Sequence, residues 1–86
     1  MLNDNYYLAR LEKGEVHLKH FILLIEISSI RSEKIINALK DYYVKGEDKV
    51  FVCQKHMVGL GYLSLKIKEL QLLSKKVFEI YPYYIR

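Results

Sequence analysis

Lysine side chains cluster in the second half of this sequence, within a segment that has almost no acidic residue. Residues 49–70 spell KVFVCQKHMVGLGYLSLKIKEL, and no carboxylate stands between Asp48 and Glu69. The segment carries four lysines, which are Lys49, Lys55, Lys66 and Lys68. Ammonium groups concentrated in this way bind phosphate groups, so the pattern predicts a polyanionic partner. Double-stranded DNA is the partner that we expect.

The charge of the whole chain favours the same partner. The 86 residues have a net charge of +4, but residues 1–48 hold 7 basic and 8 acidic side chains. Residues 49–86 hold 7 basic and 2 acidic side chains, so the positive field belongs to the C-terminal half. With 51% hydrophobic residues, the chain can form one compact core and is too short for two.

Hydrophobic periodicity predicts an all-α fold, a small helical domain of four to five helices that contains a helix–turn–helix. We expect residues 1–14 to form an N-terminal arm or a short helix that includes Tyr6 and Tyr7. Residues 15–86 are expected to form a single helix–turn–helix DNA-binding domain. Residues 15–27 are apolar nearly all round and would also suit a buried strand. We interpret them as a helix because no second strand pattern exists to pair with them.

Capping residues predict the next two helices. Ser32 is a suitable N-cap for a helix that ends before Gly46, because its hydroxyl can accept a bond from a free backbone N–H. Asp48 can cap the third helix in the same way. The residues of this third helix that are expected to point inward are Val52, Cys53 and Met57.

Two glycines, Gly59 and Gly61, bracket the predicted turn, where a positive φ has no steric cost for glycine. The fourth helix is expected from about Leu60 to Tyr81, because Pro82 disfavours helix in the residue before it. At helical spacing, its core-facing stripe comprises Leu63, Ile67, Leu70, Ser74, Val77 and Tyr81. The packing of the motif is expected to depend on Cys53, Gly59, Gly61 and Leu63.

The DNA-contacting side chains are predicted from their place in the motif. Residues at the turn and early in the second helix of a helix–turn–helix meet the DNA, which favours Tyr62, Ser64 and Lys68 for base edges or sugars. Other lysines are expected to bind phosphates, which position a protein without specifying sequence; these are Lys49, Lys55, Lys66 and Lys75. Gln71 completes the predicted set, because it shares a polar stripe with Ser64 and Lys68. The alternative is that the lysines form only a solvated face.

The first long helix predicts self-association. A helix that is apolar on every side must be buried, and a chain this short provides few neighbours. We therefore expect a homodimer or a higher homo-oligomer. The dimer contact is assigned to Phe21, Leu24 and Ile25. Further contacts are assigned to Leu65 and Leu72, which lie roughly opposite the core stripe of the fourth helix.

Catalytic, metal and membrane functions are not predicted. The sequence has no nucleophile–base–acid constellation and no phosphate loop, so we expect neither enzyme activity nor a cofactor. A metal site at Cys53 and His56 would need His17 and His20 as well, and we expect none. The single cysteine fits a small buried position in a reducing, cytoplasmic compartment. No signal peptide is evident, and the longest apolar run is too short to span a bilayer.

The stretch from residue 20 to residue 84 resembles the PapB-type family of fimbrial and adhesin operon regulators. The shared elements, in chain order, are HF-LLI-ISSI, A-KDY-V-G, V-C-K, G-Y-S and a closing PYY. The resemblance implies a small bacterial DNA-binding protein that regulates transcription of adhesin genes, often in phase variation. It also implies binding to AT-rich, repeated sites as an oligomer. It adds weight to Lys49, because the family carries a basic residue where the third helix opens.

Two other classes of function stay open at this point. An RNA-binding regulator is one, because a basic helix also suits RNA. The other is a small protein-interaction adaptor without nucleic-acid binding, whose exposed leucines and aromatic tail would contact a partner.

Overall fold

Four α-helices build the described part of the protein, so the predicted all-α class is confirmed. The computed structural model describes residues 8–85, and Tyr6 and Tyr7 of the expected arm lie outside that range. The helices are α1 (Leu18–Ile27), α2 (Glu33–Tyr43), α3 (Lys49–His56) and α4 (Leu60–Ile80), followed by a 3-10 turn at Tyr81–Tyr83. Residues 8–85 contain no strand, which settles the helix-or-strand alternative for α1.

Helix α1 begins at Leu18, three residues later than the apolar pattern predicts. His17 is its N-cap, and the Nδ1 atom of that ring accepts a hydrogen bond of 3.1 Å from the backbone N–H of Lys19. Phe21 and Leu24 are only 2% and 3% exposed, because they pack into the core of their own chain. Their assignment to a subunit contact is therefore corrected. The apolar residues of α1 that remain exposed are Leu18, Ile22, Leu23 and Ile27.

Helix α2 is the central element of the core. Its N-cap is Ser32, as predicted, and the Ser32 hydroxyl oxygen accepts a hydrogen bond of 3.3 Å from the N–H of Ile35. At its other end Tyr43 is fully buried, and the Tyr43 hydroxyl donates a 2.9 Å hydrogen bond to the backbone carbonyl of Ile67 in α4. Burial raises the pKa of Tyr43, so this hydroxyl stays a neutral donor that fixes α2 against α4.

Two loops meet at a pair of glycines near the end of α2. Gly14 and Gly46 have φ angles of +76° and +78°, a region that other residues rarely adopt. A Cβ atom on Gly14 would lie 2.9 Å from the Cα atom of Gly46, so the two backbones touch where no side chain fits. The Gly14 N–H donates to the carbonyl of Tyr42 at 3.1 Å, which closes the contact.

The segment before α1 crosses α4 instead of extending as an arm, at least from residue 8 onward. Gln71 in α4 bonds to both backbone groups of Leu11: its Oε1 accepts from the N–H at 3.0 Å, and its Nε2 donates to the carbonyl at 2.6 Å. One turn later, the Ser74 hydroxyl donates to the carbonyl of Ala9 at 2.6 Å. Ala9 and Leu11 are buried by this docking.

Helix α4 extends past the core that it helps to form. Leu63, Leu70 and Ser74 of the predicted core stripe are buried, whereas Val77 and Tyr81 are exposed. Val77 and Tyr81 line an open cavity together with Ala9 of the N-terminal segment and His20 of α1. No helix within residues 8–85 is long and apolar enough to cross a membrane.

Candidate nucleic-acid interface

Helices α3 and α4 form the helix–turn–helix, and one residue of its turn differs from expectation. Val52, Cys53 and Leu63 are buried and join the two helices to the core. Met57 is 81% exposed instead of pointing inward, because it ends α3 with a left-handed φ of 58°. The positive φ that the sequence assigns to the glycines of the turn is therefore carried by Met57.

Gly59 and Gly61 do not supply the positive φ that the sequence analysis assigns to the turn of the motif. Gly59 has a φ of −72° as the N-cap of α4, and Gly61 lies inside the helix. A Cβ atom built on either glycine would find no neighbour within 4 Å. Neither backbone angle nor packing requires glycine here. The first turn of α4 is consequently a low, open surface, on which another molecule can approach the backbone closely.

A buried carboxylate holds α3 in place and pairs with one lysine of the predicted DNA-binding set. Asp41 in α2 is 3% exposed, and its Oδ2 atom lies 2.6 Å from His56 Nε2 and 3.0 Å from Lys55 Nζ. Lys55 also lies 3.5 Å from a carboxylate oxygen of Glu47. Lys55 is thus paired with carboxylates of its own chain, and its role as a phosphate contact stays a prediction.

The Asp41 site stays ionised across the ordinary pH range. Burial on its own would raise the pKa of Asp41, but hydrogen bonds from His56 and Lys55, with the nearby charges of Lys55 and Lys45, lower that pKa to about 2. A negative charge is therefore fixed where α2 meets the end of α3.

Asp48 occupies the N-cap position of α3 without capping it through its side chain. Its carboxylate instead accepts a 2.6 Å hydrogen bond from Lys13 Nζ, and this bond lowers the pKa of Asp48. Lys13 thereby neutralises the acidic residue nearest to Lys49. The predicted cap is corrected, although the helix does start where it was expected.

We call the surface formed by Lys49, Ser64 and Lys68 the first flank of α4. Lys49 Nζ donates to the Ser64 hydroxyl oxygen at 3.3 Å, which joins the start of α3 to α4. One turn further along α4, Lys68 is exposed. No carboxylate of residues 8–85 pairs with Lys49 or Lys68, so this flank carries uncompensated positive charge.

The two other predicted residues on that polar stripe, Gln71 and Lys75, have different surroundings. Gln71 is occupied by the backbone of Leu11, so its assignment as a DNA contact is corrected to a structural role. Lys75 is exposed and lines a shallow cavity with Ala9 and Arg10. It lies two turns beyond Lys68, further from the turn of the motif.

Opposite the first flank, Lys66 and Tyr62 lie beside the loop between α1 and α2. Lys66 Nζ is 5.3 Å from the centre of the Tyr62 ring and 3.2 Å from Glu69 Oε1. The structure adds two basic residues that the sequence interpretation missed, Arg31 and Lys34. Lys34 Nζ donates to the Met57 carbonyl at 3.5 Å. The net charge of the sequence does not indicate either residue, because both belong to residues 1–48, whose acidic and basic side chains nearly cancel.

Leu65 and Leu72 are both exposed but differ in surroundings. Leu65 follows Gly61 by one turn on the outward side of α4, between Ser64 and Lys66 along the chain. Leu72 is 61% exposed and, with Ile27 and Ile30, lines an open cavity of about 310 Å³ between α1 and α4. Ile25, the remaining predicted contact residue, is half-buried against the core.

Within residues 8–85, no three side chains of histidine, cysteine, aspartate or glutamate are grouped so as to hold a metal ion. Cys53 is a buried free thiol. His56, which the sequence analysis weighed with Cys53 as a metal ligand, is hydrogen-bonded to Asp41 instead.

Sequence relatives point to one family. The Escherichia coli protein named Regulatory protein FanB is 51% identical over 71 residues, which cover 83% of this chain and 72% of that protein. The E. coli AFA-III adhesin operon regulatory protein is 43% identical over 74 residues, or 86% of this chain and 73% of its own length. The E. coli pilus operon regulatory protein PapB is 41% identical over 71 residues, or 83% and 68%.

The fold agrees with these relatives. The crystal structure of E. coli FocB matches with a TM-score of 0.82 and 37% sequence identity, over 96% of this chain and 99% of that chain. The family model PapB, described as adhesin biosynthesis transcription regulatory protein, matches residues 3–84. The chain therefore belongs to the family of adhesin biosynthesis transcription regulatory proteins, and it is a transcription regulator, not an enzyme.

Proposed function

We propose that this protein regulates transcription of adhesin genes by binding duplex DNA through α3 and α4. The observation that supports this most directly is the first flank, where Lys49 and Lys68 are positively charged and form no ion pair with a carboxylate of the described residues. The open first turn of α4, at Gly59 and Gly61, lets a DNA backbone approach closely. Relatives named as adhesin or pilus operon regulators supply the class of target gene.

The proposed DNA contacts follow from where the side chains lie relative to the turn of the motif. Lys49 and Lys75 bind phosphates, because Lys49 lies at the start of α3 and Lys75 lies two turns beyond Lys68 in α4, away from the turn of the motif. Ser64 and Lys68 lie closer to the turn and reach base edges or sugars. Leu65 shares the outward side with Gly61, so it also meets the DNA surface and not a second subunit.

We further propose that the protein binds AT-rich, repeated sites as a homodimer or higher homo-oligomer. The support for self-association is the exposed apolar side of α1, where Ile22, Leu23 and Ile27 face away from the core. Leu72 extends this surface across the cavity that it shares with Ile27. Contiguous apolar surface of this kind is typical of protein contacts, so these four residues replace Phe21 and Leu24 in the proposed interface.

Fluorescence anisotropy with labelled oligonucleotides tests the proposal. We expect tight binding to an AT-rich duplex, weaker binding to a GC-rich duplex of equal length, and log affinity that falls with log salt at a slope of about −4 to −5. Such a slope corresponds to about 4 to 6 neutralised phosphates per subunit. Duplex RNA of the same sequence serves as the comparison for the alternative nucleic acid.

The outcomes separate the classes of function. Preference for RNA over DNA would replace the proposal with an RNA-binding regulator. A protein that binds neither nucleic acid at low salt would be an interaction adaptor, and the unpaired lysines would then be only a solvated face.

A further inference from the structure

A small polar cavity lies on the side of α4 that faces away from Lys49 and Lys68. It has a volume of about 80 Å³, which is more than a single water molecule needs. Hydroxyl and cationic side chains dominate its lining, and the ones that matter here are Ser29, Arg31, Ser32, Tyr62 and Lys66. The cavity therefore combines donors and positive charge, the two properties that bind a phosphate group.

Arg31 is the principal charge at this cavity, and its position is fixed before any ligand arrives. Its NH1 atom donates hydrogen bonds of 2.8 Å to the backbone carbonyls of Ser28 and Ile30. No carboxylate of residues 8–85 pairs with the guanidinium, whose other N–H groups remain available. A held guanidinium suits phosphate, because little side-chain freedom is lost on binding.

The other lining residues assist Arg31 with different strength. The Ser32 hydroxyl oxygen accepts a bond from Ile35, which leaves its own proton free to donate. Ser29 is exposed and forms no hydrogen bond through its side chain within residues 8–85. Lys66 is 18% exposed at its side chain, but Glu69 lies 3.2 Å from its ammonium group and offsets its charge.

The cavity and the first flank lie on nearly opposite sides of the same helix. At about 100° per residue, Lys66 and Lys68 are separated by about 160° around the axis of α4. A helix that enters a DNA groove has a sugar–phosphate backbone on each side of it. Positive charge on both sides of the first turns of α4 therefore matches the two backbones that border one groove.

We propose that the Arg31 cavity binds a phosphate group of the DNA backbone, on the strand across the groove from the one bound by Lys49 and Lys68. This inference rests on the proposed function and adds a second backbone contact to it. Arg31 acts by direct contact with a phosphodiester, and Ser29 and Ser32 add hydroxyl donors.

The test compares Arg31→Gln with Lys19→Gln, which removes the same charge at the opposite end of α1. Gln removes the charge but its amide lies two bonds short of the NH1 position, so thermal unfolding is measured beside DNA binding to separate a loss of folding from a loss of contact. We expect Arg31→Gln to weaken binding to the AT-rich duplex by about tenfold and to reduce the salt slope by about 1. Lys19→Gln should change the slope by much less.

Ser29→Asp provides a second variant that leaves Arg31 intact and places a negative charge at the cavity. We expect the same loss of DNA affinity with normal stability. Inorganic phosphate should shift the backbone amide signals of Ser29 and Ser32 in the unaltered protein and not in Arg31→Gln. Phosphate binding without a DNA effect would assign the cavity to a free anion and overturn the proposal.

The proposed function and this inference fail in different ways. If Lys68→Ala loses affinity while Arg31→Gln and Ser29→Asp bind DNA as Lys19→Gln does, the second contact is refuted and DNA binding stands. If the unaltered protein binds no DNA at low salt, the proposed function itself is refuted.

Discussion

Asp41 and His56 are joined by a 2.6 Å hydrogen bond between Oδ2 and Nε2, and this bond ties α2 to the last residue of α3. The position of the helix–turn–helix thus depends on a carboxylate that lies outside the motif. The same carboxylate accepts from Lys55, so two adjacent residues at the end of α3 share one buried anchor.

Asp41→Asn should destabilise the protein by about 2 to 3 kcal/mol, because it leaves His56 and Lys55 without the negative charge around which they are placed. Urea unfolding followed by circular dichroism measures the change. Asp48→Asn is the matched control, since that carboxylate is exposed and, among residues 8–85, pairs only with Lys13. An equal loss of stability in the two variants would contradict the anchoring role of Asp41.

Acid should weaken the fold through Asp41 in a defined direction. Its pKa is about 2 in the folded protein and 3.8 in the reference state, so the folded state favours the ionised form. The contribution, about 2 kcal/mol, is fully present above pH 4 and is lost as the pH falls toward 2. Unfolding free energies at pH 5, 3.5 and 2.5 check this, and Asp41→Asn should show a flatter profile over that interval.

Lys55→Ala and Lys68→Ala should separate folding from DNA binding. Lys55 is paired with Asp41, so its loss should lower stability while the salt slope of DNA binding changes little. Lys68 is unpaired within the described residues, so its loss should leave stability intact and weaken DNA binding. Thermal unfolding and anisotropy titrations of both variants decide the matter, and a reversed pattern would show that the interface has been placed on the wrong side of α4.

Glycine substitutions should have opposite effects at two places. Gly46→Ala should destabilise the protein by about 1 to 3 kcal/mol, because alanine is strained at a φ of +78° and its Cβ would lie 3.2 Å from Gly14. Gly61→Ala has open space around it inside α4 and should stabilise the helix by up to about 1 kcal/mol. If Gly61→Ala nevertheless weakens DNA binding, the open first turn of α4 contacts the DNA.

Adjacent leucines of α1 should behave differently when each is replaced by aspartate. Leu24→Asp buries an unpaired charge in the core and should unfold the chain. Leu23→Asp changes an exposed residue and should leave a folded monomer, because it disrupts the proposed subunit contact. Sedimentation at micromolar concentration measures the mass. A folded 10.3 kDa monomer of the unaltered protein under the same conditions would refute the contact altogether.

Local signals in the sequence predicted much of the fold. The Ser32 cap and the start of α4 are determined by neighbouring residues, so both are found where the pattern places them. The turn is less certain from sequence, because either glycine or Met57 can supply a left-handed residue. In the folded protein Met57 is the residue with the left-handed φ, and sequence periodicity alone does not predict this because it carries no information on tertiary packing.

The hydrogen-bond and ion-pair partners of the candidate site residues were harder to predict, because they lie far away along the chain. Lys55 and Gln71 look like other polar residues on a helix until their partners are known. Asp41 lies on another helix, and Leu11 is 60 residues away from Gln71 along the chain. Arg31 was missed because only the packing of the α1–α2 loop brings it beside α4.

The crossing of Ala9 and Leu11 over α4 also has a consequence for the order of folding. Their hydrogen-bond partners, Ser74 and Gln71, follow them by 65 and 60 residues. During synthesis the first segment must therefore wait until Gln71 and Ser74 have left the ribosome, while α2 and α3 can already pair through nearby contacts. Closure of this long loop is expected to be the last and slowest step of folding, and the segment that waits should be the first to be released on unfolding.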